Sequence, residues 1–288
     1  MATSPSHQLG EFIGDFFELA IINYLSPIVS KKGYYLDYRH SRPARGNKRE
    51  VIGIDHNGNK HKLDIVVEEN GSETNFGTPK AFIEMAWRRY VKHSKNKVQE
   101  IAGAILPLVE THANHMPFYA AVLAGEFTEN SLVQLRSQGF FVLYFNYAEI
   151  CRLFDTVGIS IRWEESTSDS ELQRIAEKFQ ALTDKDKNKL LRTFYRLYST
   201  QLAELANALM DALATTIAEV LIVPVHGAPH IVTSINDAVL YITNYNEASS
   251  GVLPVLRYEI TVRYSNGDEY TMKCTNKTKA IQFLRQYS

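Results

Sequence analysis

The sequence predicts an α/β fold in which a sheet is covered by helices on both faces. Three observations carry this expectation. Apolar runs such as FYAAVLAG at 118–125 and FFVLYFN at 140–146 read as strands buried on both sides. Segments at 8–29, 95–110, 128–138 and 147–157 place their apolar residues at helical spacing. The two kinds alternate along the chain, the pattern of layered α/β domains. At 288 residues, with 45% hydrophobic and 22% charged side chains, the chain has the balance of a globular protein of one large or two ordinary domains.

Taken in order, the first helix (8–29) carries Phe12, Ile13, Phe16, Phe17, Ala20, Ile21 and Tyr24 on one side. Ser6 is its candidate cap and Pro27 lies near its end. Strands at 34–39 and 50–55 flank the basic segment RHSRPARGNKRE, and DHNGNK is a hairpin turn signal. HKLDIVVEE reads as one strand, ENGSETNFGTPK as a loop and AFIEMAW as the next strand. The helix at 95–110 presents Val98, Ile101, Ala102, Ile105, Leu108 and Val109. Beyond the acidic EESTSDSE, residues 171–182 and roughly 184–221 read as helical. In the second of these, Leu191, Tyr195, Tyr198, Leu202, Leu205 and Leu209 form a seam for packing within the chain or for dimerisation. A hairpin turning at Asn266-Gly267 follows a strand and helix in PHIVTSINDAVLYITNY, and NKTKAIQFLRQY closes the chain as a helix. Three regions are expected: 1–163, a helical region at 164–221, and a small α+β module at 222–288.

Several function classes drop out. A formal net charge of -1 announces no polyanion partner globally, although local patches can still act. Two cysteines cannot build a common zinc site, and a reduced, cytoplasmic setting is expected. No run of about 18 apolar residues suggests a membrane span, and no basic-then-apolar leader is visible. There is no GxSxG and no GxxxxGK[ST]. His226 and His230 are separated by Gly and Pro, which rules out a helical HxxxH face, and His112 and His115 sit where helix capping is the ordinary explanation.

The chemistry concentrates in two strands. Asp64 and Glu84 each interrupt an apolar run, and a buried carboxylate needs a partner. A divalent cation is such a partner, since Mg²⁺ takes one or two carboxylates together with waters and substrate phosphate. After Glu84 come Arg88, Arg89, Lys92, Lys95 and Lys97, with no acid until Glu100. The segment 31–49 holds seven cations, among them Arg42, Arg45 and Lys48, against one acid, Asp37. Two basic patches flanking an acidic pair point to a phosphate backbone. Glu11, Asp15 and Glu18 form an acidic stripe along the first helix.

Residues 8–150 thus resemble the PD-(D/E)XK nuclease superfamily, which includes many restriction endonucleases and repair or recombination nucleases. Asp64 matches the first acidic position, with Leu63 where proline is common, and Glu84 matches the second. The lysine expected two residues later is Ala86. The resemblance implies a restriction-endonuclease-like mixed sheet and a Mg²⁺-dependent endodeoxyribonuclease, with Mn²⁺ as a possible substitute. Asp64 and Glu84 would hold the metal, and Glu18, ahead of Glu11, would complete the site. Asp15 reads as a solvated face. The lysine's role would pass to the following helix: Lys95 is the first candidate, Lys92 and Lys97 the next, and Gln99 shares that edge. Arg42, Arg45, Lys48, Arg88, Arg89, Lys92, Lys97 and Gln99 would contact DNA, and Trp87 and Tyr90 could stack on bases. A restriction or defence role, a homodimer, and a cognate methyltransferase or other defence partner follow from the same resemblance. The alternative is a catalytically inactive nuclease-like subunit that binds DNA or a partner, and Ala86 favours it.

Overall fold

The computed structural model describes residues 4–248 and 253–287. The chain divides into two compact units. The first runs to Thr111 and resumes over Pro117–Met210; the second comprises His112–Met116 and the chain from Asp211 onward.

The first unit is α/β with a mixed sheet flanked by helices. It begins with α1 (Pro5–Lys31), whose cap is Ser4 rather than Ser6, with the Ser4 side chain accepting from the His7 amide at 3.4 Å. Pro5 explains the shift, because proline is pre-set for the first helical turn. Next come β1 (Tyr34–Tyr38), a hairpin of β2 (Val51–Ile54) and β3 (Lys60–Leu63), then β4 (Ile65–Glu69) and β5 (Thr78–Arg88). α2 (Ser94–Thr111), β6 (Phe118–Gly125), α3 (Glu129–Ser137), β7 (Phe141–Asn146) and α4 (Tyr147–Asp155) follow. The sheet order is β1-β4-β5-β6-β7. β1, β4 and β5 pair antiparallel, while β5–β6 and β6–β7 are parallel, joined through α2 and α3. The interior strand β6, between β5 and β7, is buried almost throughout, as a strand covered on both faces must be.

Two cores result. On one face, Phe82 and Ala86 of β5 and Leu123 of β6 pack with Val98, Ile101 and Ile105 of α2. On the other, α1 brings Phe16 and Phe17 against Phe145, Phe154 and Phe194 in edge-on and stacked contacts. Each such ring buried contributes about 1.5–3 kcal/mol. α1 is long and apolar enough to cross a membrane by length and composition, with a mean hydropathy of 1.4 over its window. Its apolar side, from Leu9 to Val29, is instead buried in this core.

The helical region expected at 164–221 is reorganised. α5 (Asp169–Gln180), α6 (Asp184–Leu197) and most of α7 (Ser199–Leu213) belong to the first unit. α5 packs on α1 through Phe12 and Phe179, and the Tyr195 hydroxyl donates to the Ala20 carbonyl at 3.0 Å. The single long helix is two helices broken at Tyr198-Ser199. Tyr198, Leu202, Leu205 and Leu209 are buried inside the chain, so those seam residues are not free for a partner.

The second unit is a four-stranded antiparallel sheet, β11-β10-β8-β9, with two helices. Its elements are β8 (Ile217–Pro224), β9 (His230–Val232), α8 (Ile235–Asn244), β10 (Tyr258–Tyr264), β11 (Glu269–Cys274) and α9 (Lys277–Leu284). The hairpin turns at Asn266-Gly267 as expected, with Gly267 at φ 92°. β8 overturns the helix expected through residue 221: Ile217, Val220, Ile222 and Val223 are β-branched, and Val220 and Ile222 alternate into the core.

Candidate active site

Asp64 lies between two sheets. HKLDIVVEE is not one strand: its first half, β3, pairs with β2, and its second half, β4, pairs with β1 and β5. The step between them frees Asp64 from either ladder and turns it toward β5. There the Met85 amide donates to Asp64 Oδ2 at 2.8 Å, and the Asp64 amide donates to Glu84 Oε1 at 3.2 Å. Each carboxylate is thus fixed by the backbone beside the other.

Glu84 is buried, and it shares a strand face with Phe82 and Ala86 by the two-residue period of β5. That face looks onto α2. Burial, and then the neighbouring Asp64 charge, push the Glu84 carboxyl up to about 8. Burial also raises Asp64, against the Met85 amide and the Lys97 and Lys62 charges, which favour its ionised form. Glu18 reaches the same charge cluster from α1: burial, with Asp64 next, pushes it up to about 7. All three shifts favour the protonated form, as expected of carboxyls buried together without enough protein counter-charge to balance them.

A cleft of about 140 Å³ opens here, lined by Glu11, Gly14, Asp15, Glu18, Asp64, Ala86 and Trp87 among others. A wider groove of about 660 Å³ shares Glu11, Gly14, Ala86 and Trp87 with it and adds Arg88, Tyr90 and Lys97. Among the described residues, no three His, Cys, Asp or Glu side chains are grouped closely enough to hold a metal on their own. The Asp64–Glu84 pair matches the smaller demand of Mg²⁺, one or two carboxylates with the remaining positions left to water and phosphate. The donor set therefore fits a hard divalent cation.

The cations sort differently from the sequence expectation. Lys97, not Lys95, is the α2 lysine whose charge acts on both Asp64 and Glu84. Its side chain is 15% exposed and pairs with Glu100 at 3.0 Å. Lys95 and Gln99 are exposed on α2. Helical geometry explains the choice: Lys97 adjoins Val98 at the edge of the buried stripe, whereas Lys95 points outward.

Arg42 cannot contact DNA. It is 0% exposed, forked onto Glu68 at 2.7 and 3.0 Å and bonded to Asp37 at 2.6 Å. Arg45 is also tied down, to the same Asp37 and to the His40 carbonyl at 2.7 Å. Much of the positive charge expected of this loop is therefore spent inside the fold, while Lys48 remains exposed. Arg89 is largely enclosed: its guanidinium lies 4.0 Å from the Tyr147 ring and donates to the Trp163 carbonyl. Arg88 is half-buried and donates to the Trp87 carbonyl at 2.8 Å, and Lys92 pairs with Glu165. Sequence reading missed Lys62, and Arg39 entered it only as one of the seven cations of the 31–49 segment. Both act electrostatically on Glu18, and Glu50 links them at 2.6 and 3.8 Å. The signal for Lys62 was its position two residues before Asp64.

No protein-family model matches the chain, and no curated protein matches it. A crystal structure of a protein of unknown function, AF1548, is similar over 67% of this chain and 98% of that one, at 12% identity and a TM-score of 0.29. A likeness at that score carries no argument about fold or function.

Proposed function

We propose that the chain is a Mg²⁺-dependent DNA endonuclease of the PD-(D/E)XK type, hydrolysing phosphodiester bonds in restriction or defence against foreign DNA. The observation that carries this reading is the backbone-clasped Asp64–Glu84 pair, with Asp64 and Glu18 lining a cleft, Glu84 buried directly behind Asp64, and Lys97 acting on both carboxyls from α2.

Asp64 and Glu84 would hold the cation, with Glu18 assisting; the ion supplies Lewis acidity and charge neutralisation toward the phosphodiester. Lys97 takes the place left by Ala86. Its ammonium orients the attacking water or a phosphate oxygen from α2, and the small Ala86 side chain keeps that approach open. Glu18, near neutrality in its titration, is suited to exchange a proton with water at the cleft. Trp87 and Tyr90 in the adjoining groove are placed for contact with a nucleotide.

Purified protein incubated with supercoiled and linear DNA and Mg²⁺ or Mn²⁺ is expected to cut, and Asp64→Ala to lose cutting with DNA binding retained. Lys97→Ala should lower the cleavage rate by roughly 10²–10⁴-fold, the scale of a positioned proton-handling group. Lys95→Ala should leave it nearly unchanged. An unaffected Lys97→Ala enzyme would remove Lys97 from the mechanism.

A second reading, a nuclease-like subunit that binds DNA or a partner without cutting, draws on Ala86 itself. No cutting by wild type under any of these metals, with salt-sensitive binding preserved, is its expected signature.

A further inference from the structure

We propose that the outer face of the β2–β3 ribbon lies in the major groove of duplex DNA and leads the backbone to the carboxylate cleft. This rests on the reading of the chain as a DNA-acting protein and adds the element that reads the duplex.

The ribbon has two unlike faces. Val51 and Leu63 point into the core beneath α2, and Gly53 sits so close to α2 that a Cβ there would meet Leu108 at 2.8 Å. The inner face is therefore held rigidly. On the outer face Ile52 stands opposite Lys62 and Ile54 opposite Lys60. Ile52 is 46% exposed and Ile54 55%, while the Lys62 side chain is 63% exposed. One strand thus offers apolar groups and its partner offers cations, of which Lys62 is paired with Glu50 at 2.6 Å and must exchange that partner for a phosphate or base acceptor. Two isoleucines standing in water on a short ribbon call for a surface to cover them.

A duplex groove supplies both halves of the match. The major groove admits a two-stranded ribbon, thymine offers a methyl group there, and guanine and phosphate offer acceptors for lysine. The acid at the tip is turned away from this face: Asp55 binds the Asn57 and Asn59 amides at 2.9 Å and the His61 ring at 2.9 Å. Lys48 and Arg49 are exposed just before β2. The face is also continuous with the site, since Lys62 lies two residues before Asp64 and its charge acts on Asp64 and Glu18.

The test is fluorescence-anisotropy titration of a labelled duplex in EDTA across a salt series, which reads binding without cleavage. The Lys60→Ala/Lys62→Ala double variant is expected to bind more weakly and to reduce the slope of log affinity against log salt by about 2. Wild type should prefer a thymine-rich duplex over the same duplex carrying uracil, which lacks only the groove methyls, by roughly threefold to fourfold per methyl contacted. Ile52→Ala/Ile54→Ala should erase that preference and keep the salt slope. Thermal melts check that each variant folds. An unchanged salt slope in the lysine variant, or equal wild-type affinity for the two duplexes, overturns the proposal. So does a wild-type dimer in sedimentation that Ile52→Ser/Ile54→Ser dissolves, because the face would then be a protein interface. These readouts need no catalysis: loss of slope in a protein that never cuts would sink the nuclease reading and leave the ribbon standing.

Discussion

Replacing Glu84 by Gln is expected to abolish cleavage and, at the same time, to stabilise the metal-free protein at pH 8. Glu84 is buried beside Asp64, and burial first, then that neighbour, raise its carboxyl to about 8 in the folded chain, against 4.5 ordinarily. Between those two values the native state binds more protons than the unfolded state, so stability falls as pH rises through the window. Glu18, raised to about 7, adds to the same slope over a lower range. A glutamine keeps the acceptor for the Asp64 amide and removes the charge. At about 1.4 kcal/mol per unit of pKa difference, the gain at pH 8 is on the order of a few kcal/mol. The measurement is a pair of thermal melts in EDTA at pH 5 and pH 8. Wild type should be the less stable at pH 8, and Glu84→Gln should flatten the difference. Mg²⁺ should raise the wild-type melting temperature more at pH 8 than at pH 6, because the ligands must lose their protons to bind it. Equal pH dependence in the two proteins would mean that Glu84 does not titrate in this range.

Removing the Arg42 side chain should do more damage to the fold than any change at the cleft. Its guanidinium binds Asp37 and Glu68 and also donates to the carbonyls of Ser72 and Asn75, both at 2.7 Å. Those carbonyls belong to the loop between β4 and β5. The Tyr35 ring lies 4.4 Å from the guanidinium on one contact and the exposed Phe76 ring 5.1 Å on another. Arg42→Ala leaves the buried Glu68 without a counter-ion and Asp37 with Arg45 alone, which costs about 3–5 kcal/mol, or roughly 10 °C in Tm for a unit of this size. Arg42→Lys should lose most of the same stability, since one ammonium cannot replace a fork onto Glu68. The fall should be equal with and without DNA. A folded, fully stable Arg42→Ala protein with weakened DNA binding would restore Arg42 to the surface.

What sequence alone revealed follows the range of the physics involved. The first-unit strands and helices come from local hydrophobic period and appear within a few residues of their expected ends. Asp64 and Glu84 come together because each breaks an apolar run, a signal visible in one dimension. Sequence alone does not separate Lys95 from Lys97, because both lie on the same stretch of helix, and only the packing around Val98 decides which one turns toward the carboxyls. Arg42 was indistinguishable from Lys48 by composition, since its partner Glu68 is 26 residues away in the chain. β8 was absorbed into a helix because the three-and-four spacing of Leu202, Leu205 and Leu209 runs directly into its β-branched residues. The break at Tyr198 has no proline or glycine to announce it.

The step at Asp64 has an evolutionary and engineering consequence. The ribbon's turn lies at residues 55–59, at the far end from that step, so the arm can be lengthened by pairs of residues there while Asp64 stays in place. A single residue inserted between Leu63 and Ile65 would instead invert every side chain of one strand relative to the other. On the proposed reading of the ribbon as a duplex-binding arm, its tip can be exchanged while its root is held, and replacing residues 55–59 with turns of other lengths should change duplex binding without displacing Asp64 from Glu84.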